Sequence, residues 1–224
     1  MKIIGFVGLP GSGKGEASRI AGQHGLPVLV MGDVIRKEAE RLGLPPTDQN
    51  LGRIGSDLRA EEGPDAVARR VFENARATGR DVVVVDGLRS PEEAEYFRRH
   101  AGQFHLVEVC APVQARLKWL ESRGRPDDPG SARSSSRLKG EAEDAAALED
   151  AGEGESKIIA SCMEPERRAA EMLEQRECRE LGWGMCEAMK AADFKLRNDG
   201  SLVEFHENVK KLLDILLSRQ LQDP

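Results

Sequence analysis

Ile3-Ile4-Gly5-Phe6-Val7, followed directly by Gly8-Leu9-Pro10-Gly11-Ser12-Gly13-Lys14-Gly15, decides the fold. An apolar β-type run feeds a glycine-rich loop that ends in Gly-Lys, and helical periodicity follows from about residue 14 to 24. The glycines let the backbone curl so that successive N–H groups point inward at anionic oxygens. The next helix contributes its positive N-terminal end, and Lys14 can reach β- and γ-phosphates. Gly8 to Gly15 are therefore the candidate nucleotide-phosphate cradle. The strict motif places Ser or Thr after the lysine to meet Mg²⁺, and here that place is held by Gly15, with Glu16 next. The metal is expected to be held through water, a downstream carboxylate or the nucleotide itself. Ser18, one turn along, is a weaker hydroxyl candidate.

Outward from this loop, β-type runs alternate with helical patterns. The runs are Ile3–Val7, Pro27–Met31, Val82–Val85, Leu106–Ala111 and Phe194–Leu196. Val82 to Val85 is continuously apolar, as a central parallel strand covered on both faces requires. Helical patterns fall at about 14–24, 33–42, 48–62, 65–78, 91–100 and 112–123, with a last one at about 201–219 striped by Val209, Leu212, Leu213 and Leu216. This alternation predicts an α/β P-loop NTP hydrolase fold: a five-stranded parallel sheet, helices on both faces and ligands beyond the carboxyl ends of the strands. One domain spanning 1–224 is expected. From about 129 to 165 the chain is rich in Ser, Gly, Ala, Glu and Asp and lacks an apolar period, which reads as a mobile insertion in a lid region.

Composition narrows the function. A net charge of −6 argues against general affinity for nucleic acid or anionic membranes, so an anionic ligand must be gathered by local basic groups. No apolar run approaches the roughly 20 residues of a membrane span, and the N-terminus reads as a core strand rather than a signal peptide, so a cytoplasmic location is expected. Cys110, Cys162, Cys178 and Cys186 match no zinc spacing. His24, His100, His105 and His206 are scattered and read as surface or boundary residues.

Further constellations sit at strand ends. Asp86-Gly87 closes the Val82–Val85 run, where a carboxylate beside the phosphate loop can organise Mg²⁺ through its water shell. Gly32-Asp33-Val34-Ile35-Arg36 follows the second run. Asp33 is placed to N-cap the next helix, and Arg36 to bind a phosphate bidentately. Arg89 follows Asp86 closely. Arg116, Arg123 and Arg125 lead into Pro126-Asp127-Asp128, where arginines of a closing lid could exclude water and stabilise transferring charge. Arg176 and Arg179 could return positive charge after the insertion. Asn198-Asp199-Gly200 is a turn signal, with Ser201 as a helix N-cap.

These segments carry a family resemblance. Gly8 to Gly15 resembles the loop of nucleoside monophosphate kinases such as adenylate kinase, which also place Gly after the Lys. Gly32-Asp33-x-x-Arg36 resembles their acceptor-binding segment, and Asp86-Gly87-Leu88-Arg89 their Asp-Gly-x-Pro-Arg segment, here without the Pro. Arg125-Pro126-Asp127-Asp128 is similar to the lid of UMP/CMP-type kinases. Ala192-Asp193 through Asn198-Asp199-Gly200-Ser201 resembles the C-terminal segment of dephospho-CoA kinases, where it lies near the nucleotide base. Over about 1–128 and 176–210 the chain resembles an archaeal family of P-loop nucleotide kinases between these groups. The resemblance implies ATP and Mg²⁺ as cofactors. It makes Lys14, Asp86, Arg123 and Arg125 the catalytic candidates, and Asp33, Arg36 and Arg89 the acceptor-binding ones. It leaves open the acceptor (a nucleoside monophosphate or dephospho-CoA), the choice of ATP over GTP and the oligomeric state. A different class of function is an ATP-dependent switch that reports to a protein partner, for which Gly15 in place of Ser or Thr speaks slightly.

Overall fold

The computed structural model describes residues 1–123 and 165–218. Its centre is a five-stranded sheet, all parallel, formed by β1 (Lys2–Val7), β2 (Val28–Val30), β3 (Val82–Leu88), β4 (Gln103–Cys110) and β5 (Phe194–Arg197) in the order β2-β3-β1-β4-β5. The described helices are α1 (Lys14–Gln23), α2 (Met31–Arg41), α3 (Asp48–Glu62), α4 (Ala66–Ala77), α5 (Pro91–His100), α6 (Val113–Arg123), α7 (Pro165–Gly182), α8 (Met185–Lys190) and α9 (Leu202–Ser218).

The apolar strands are explained by burial on two faces. Ile3 and Val7 of β1 join Val85, Leu88 and Leu106 in a core closed by α2, α3, α4, α5 and α8. Ile4 and Phe6, pointing the other way, join Val84, Val107 and Val109 in a second core closed by α1 and α9. A strand whose alternate residues both meet helices has no polar face to show. Lys2 is the exception: its buried ammonium donates to the Leu216 carbonyl at 2.7 Å and so caps the end of α9.

Three local readings are corrected. Asp86 lies within β3, which runs on to Leu88, because a register shift between Phe6 and Val7 pairs Val7 with Leu88. Asp33 does not cap α2. The helix already begins at Met31, whose side chain is buried in the first core, so Asp33 falls in the first turn with Val30 at the cap position. The short α8, buried through Met185 and Ala188, has no counterpart in the periodicity reading. Residues 129–164 of the expected insertion, with Cys162 among them, and Arg125 lie outside the described residues.

The Ser201 cap is present. Its Oγ accepts from the Glu204 N–H at 3.2 Å while Glu204 Oε2 accepts from the Ser201 N–H at 2.8 Å, a reciprocal capping box. Leu213 of α9 is 1% exposed in the second core. Leu213→Ala should therefore lower the unfolding free energy by about 2–5 kcal/mol. Equilibrium denaturation checks this, and an unchanged midpoint would mean that α9 is not packed as described.

Candidate active site

The phosphate loop joins β1 to α1 at the carboxyl edge of the sheet. It needs its glycines for two separate reasons. Gly8, Gly11 and Gly13 have φ of +151°, +77° and +107°, which L side chains rarely adopt. Neighbours also press on them: a Cβ on Gly8 would lie 2.2 Å from the Val109 carbonyl oxygen, and one on Gly13 would lie 2.4 Å from Asn198 Nδ2. Leu9 and Pro10 carry the loop between these turns.

The loop is braced from behind. Asn198 donates from Nδ2 to the Ser12 carbonyl at 3.1 Å, and its own N–H donates to the Cys110 carbonyl at 2.8 Å. Arg116, buried on α6, donates to the Pro10 carbonyl at 3.2 Å and pairs with Glu177 of α7. Arg116 thus supports the loop from the side of α6. Ser12 Oγ is buried and has no hydrogen-bond partner among the described residues, so the cradle contains a polar atom that an anionic ligand could satisfy.

Lys14 folds back on this loop, donating from Nζ to the carbonyls of Gly8 at 2.6 Å and Leu9 at 3.0 Å. Burial lowers its pKa from 10.5 to about 8, opposed by the charges of Asp86 and Glu180 and assisted by those of Arg89 and Arg176. These side chains come from β3, the segment after it and α7, so three parts of the chain converge on Lys14.

Asp86 is buried on β3, paired in register with Phe6 on one side and Val30 on the other. A Cβ at Gly15 would meet nothing closer than Asp86 Oδ2 at 4.0 Å, so the absent side chain leaves room between the start of α1 and this carboxylate. One carboxylate beside an anion cradle suits a Mg²⁺ ion that keeps its waters and shares the nucleotide's oxygens. Among the described residues no group of three or more His, Cys, Asp or Glu is gathered to hold a metal. Ser18 Oγ is buried on α1 without a partner among the described residues. Glu16, by contrast, engages Arg19 at 2.7 Å and His206 of α9. Its pKa is lowered chiefly by the Arg19 hydrogen bond, so its charge is directed to the helix surface.

Beside the loop lies a cleft lined by Arg36, Arg89, Arg176, Arg179, Asp48 and Glu180, with Gly52 and Trp183 among its walls. Glu180 accepts from Arg176 Nε at 3.2 Å and faces Arg89 Nε at 3.3 Å. Burial pushes its pKa up, but Arg89, Arg176 and Lys14 outweigh that and hold it below the ordinary carboxylate value. Asp48, in the first turn of α3, accepts from Arg179 Nη2 at 2.8 and 2.9 Å. Arg59 secures the floor: it pairs with the buried Glu93 at 2.7 Å and stacks on Trp183 at 4.5 Å. Glu93 also accepts from the Arg89 N–H at 2.8 Å, which fixes the backbone that presents Arg89.

Of the residues expected from sequence, Lys14, Asp86 and Arg89 come together, and Arg36 lines the same cleft. Asp33 does not line it: the side chain is 58% exposed and pairs with Arg36 at 2.6 Å. Arg123 ends α6, and Arg125 lies outside the described residues. The sequence reading missed Glu180, Asp48 and the Asn198 brace. A glutamate in a helix crowded with charge carries no signal. The arginine pair Arg176 and Arg179 was legible, but its partner Asp48 is 131 residues from Arg179.

The sheet order and the loop between β1 and α1 define a P-loop α/β fold. Residues 7–132 match the family model described as an AAA domain. The chain is 43% identical over 216 residues to a UPF0200 protein of Methanothrix thermoacetophila, covering 96% of this chain and 98% of that one. It is 40% identical over 223 residues to a UPF0200 protein of Methanosarcina mazei, covering 99% of both. The chain belongs to the UPF0200 protein family. Among solved structures it is similar to TT1252 from Thermus thermophilus, with TM-score 0.53, 19% identity and coverage of 99% of this chain and 98% of that one, a likeness of fold alone. No helix among the described residues is long and apolar enough to cross a membrane.

The lysine yields a pH prediction. Anion binding requires the Lys14 proton, and that proton leaves the free protein near pH 8. Affinity for ATP should hold below that pH and fall about fivefold between pH 8 and 9, whereas Lys14→Arg, which stays charged, should give a flat profile. By the same linkage the empty protein gains stability as pH rises from about 8 towards 10.5, because the folded state then binds fewer protons than the unfolded one. Calorimetric titration at several pH values checks the first statement, and a flat wild-type profile would contradict the enclosed lysine.

Proposed function

We propose that this protein is an ATP-dependent phosphotransferase that moves the γ-phosphoryl group to a small acceptor, a nucleoside monophosphate or dephospho-CoA. The observation that carries this reading is the arginine-lined cleft beside the phosphate loop, because a phosphoryl transfer needs two anion sites close together. Gly8 to Gly15 hold the ATP phosphates through backbone N–H groups and the α1 N-terminus, and Lys14 neutralises the β- and γ-oxygens. Asp86 is the residue to hold Mg²⁺ through water, and the ion would supply charge neutralisation at the transferring phosphoryl. Arg36 and Arg89 orient the acceptor. Asp33 acts only through Arg36, which it steadies. Arg123 and Arg125 close over the site and exclude water that would otherwise compete as acceptor. The whole chain 1–224 acts as one kinase-like domain with the 129–165 segment inserted at the lid, and works in the cytoplasm on small molecules rather than on nucleic acid or membranes.

A second reading is a nucleotide-dependent switch that hydrolyses ATP slowly and reports to a protein partner. Gly15 in the Ser/Thr position favours it. The cleft weighs against it, since a switch has no use for a second cluster of arginines.

Lys14→Ala should abolish turnover with little change in thermal stability. Arg36→Ala and Arg89→Ala should raise the acceptor KM by about tenfold or more while leaving ATP affinity within about twofold. Steady-state kinetics with calorimetry separates the two effects. Wild-type turnover in Lys14→Ala would sink the assignment, and an unchanged acceptor KM in both arginine variants would remove the acceptor site from this cleft.

A further inference from the structure

The acceptor cleft is closed by its own charges. It holds ≈ 30 Å³, room for about two or three waters at ~10–15 Å³ each. An anion that enters competes for the arginines with the carboxylates already paired to them. The two carboxylates in its lining differ in how easily they could leave. Glu180 has a side chain 4% exposed, set between Arg89 and Arg176 and facing the charge of Lys14. Taking it out would strand buried cations. Asp48 has a side chain 22% exposed and holds Arg179, itself 26% exposed. Asp48 also lies in the first turn of α3, where the unpaired N–H groups favour a carboxylate even after it has let go of an arginine.

Resting on the acceptor reading of this cleft, we infer that Asp48 is an exchangeable stand-in for the acceptor's anionic group, which on binding takes Arg179 and Arg176 from it while Glu180 stays in place. Arg176 Nε already lies 3.6 Å from Asp48 Oδ1, so one carboxylate faces both guanidinium groups. A tetrahedral dianion can replace it by accepting from both at once. Gly52 makes the seat. A Cβ there would stand 2.7 Å from Arg179 Cζ and Nε, so the guanidinium lies flat on the glycine backbone of α3. The exchange has a consequence for specificity: an acceptor is admitted only if it offers Arg176 and Arg179 more than Asp48 does, which a phosphomonoester can and a neutral alcohol cannot.

The probe is inorganic phosphate, titrated with ADP present to occupy the phosphate loop. The readout is Trp183 fluorescence in a Trp119→Phe background, since the ring lies 6.0 Å from Arg179 and 5.8 Å from Arg89 and would be the chain's single tryptophan. Only the signal abolished by Arg179→Ala is counted. Asp48→Asn should tighten phosphate binding at least about fivefold, whereas Asp57→Asn, an exposed charge loss on the same helix, should leave it unchanged. Gly52→Ala should weaken it about tenfold by unseating Arg179, which keeps the test open should Asp48→Asn fold poorly. Unchanged or weaker binding in Asp48→Asn, equal tightening in Asp57→Asn, or no loss in Gly52→Ala would each overturn the exchange. ADP binding is measured first. Its absence would count against the phosphotransferase reading, while the Arg179-dependent phosphate signal would still decide the exchange.

Discussion

Everything in the site depends on how much positive charge is gathered at one edge of the sheet. Lys14, Arg89, Arg176 and Arg179 converge there in a protein whose net charge is −6. Crowded cations repel one another and lose solvation, so an empty pocket of this kind would open or lose protons. The molecule answers in two ways. Lys14 gives up part of its hold on a proton, and Asp86, Glu180 and Asp48 are threaded between the cations. The result is a cluster of cations that the protein's own carboxylates hold together.

The scaffold around it is tuned to that task. The parallel sheet aims β1 and β3 at the same point, which sets Lys14 across from Asp86. The phosphate loop is held between Asn198, after β5, and Arg116, on α6, and its glycines leave no gap for either to slip. In the arginine-lined cleft the glycines of α3 serve arginines. Gly52 receives Arg179, and Gly55 lies under Arg59 and Trp183. Glycines in a helix cost helical stability, about 1 kcal/mol each against alanine, and here Gly52 admits a guanidinium from α7 while Gly55 admits one from the next turn of its own helix.

Much of this was legible in the sequence because it is local. Strand–loop–helix continuity, the apolar valines of β3 and the Ser201–Glu204 cap are all set by residues within a few positions of each other. Gly32 to Arg36 illustrates the limit. The motif marks a ligand edge, but the burial of Met31 starts α2 earlier than the Asp33 signal suggests, and Asp33 becomes a surface partner of Arg36. The arginine-lined cleft was half legible. Its arginines stand out as residue types, whereas Asp48 and Glu180 acquire meaning only when folding brings α3 and α7 together. No spacing rule connects residues 131 positions apart.

The most direct test of the central claim follows the γ-phosphorus of ATP. The protein is incubated with Mg²⁺ and γ-labelled ATP against AMP, CMP, UMP, GMP, dUMP and dephospho-CoA in turn, and the labelled product is identified by mass. Label passing stoichiometrically to one of these acceptors, with little appearing as inorganic phosphate, is the outcome that two adjoining anion sites predict. Label released only as inorganic phosphate, at a rate no acceptor changes, would contradict phosphoryl transfer and leave the nucleotide switch in its place.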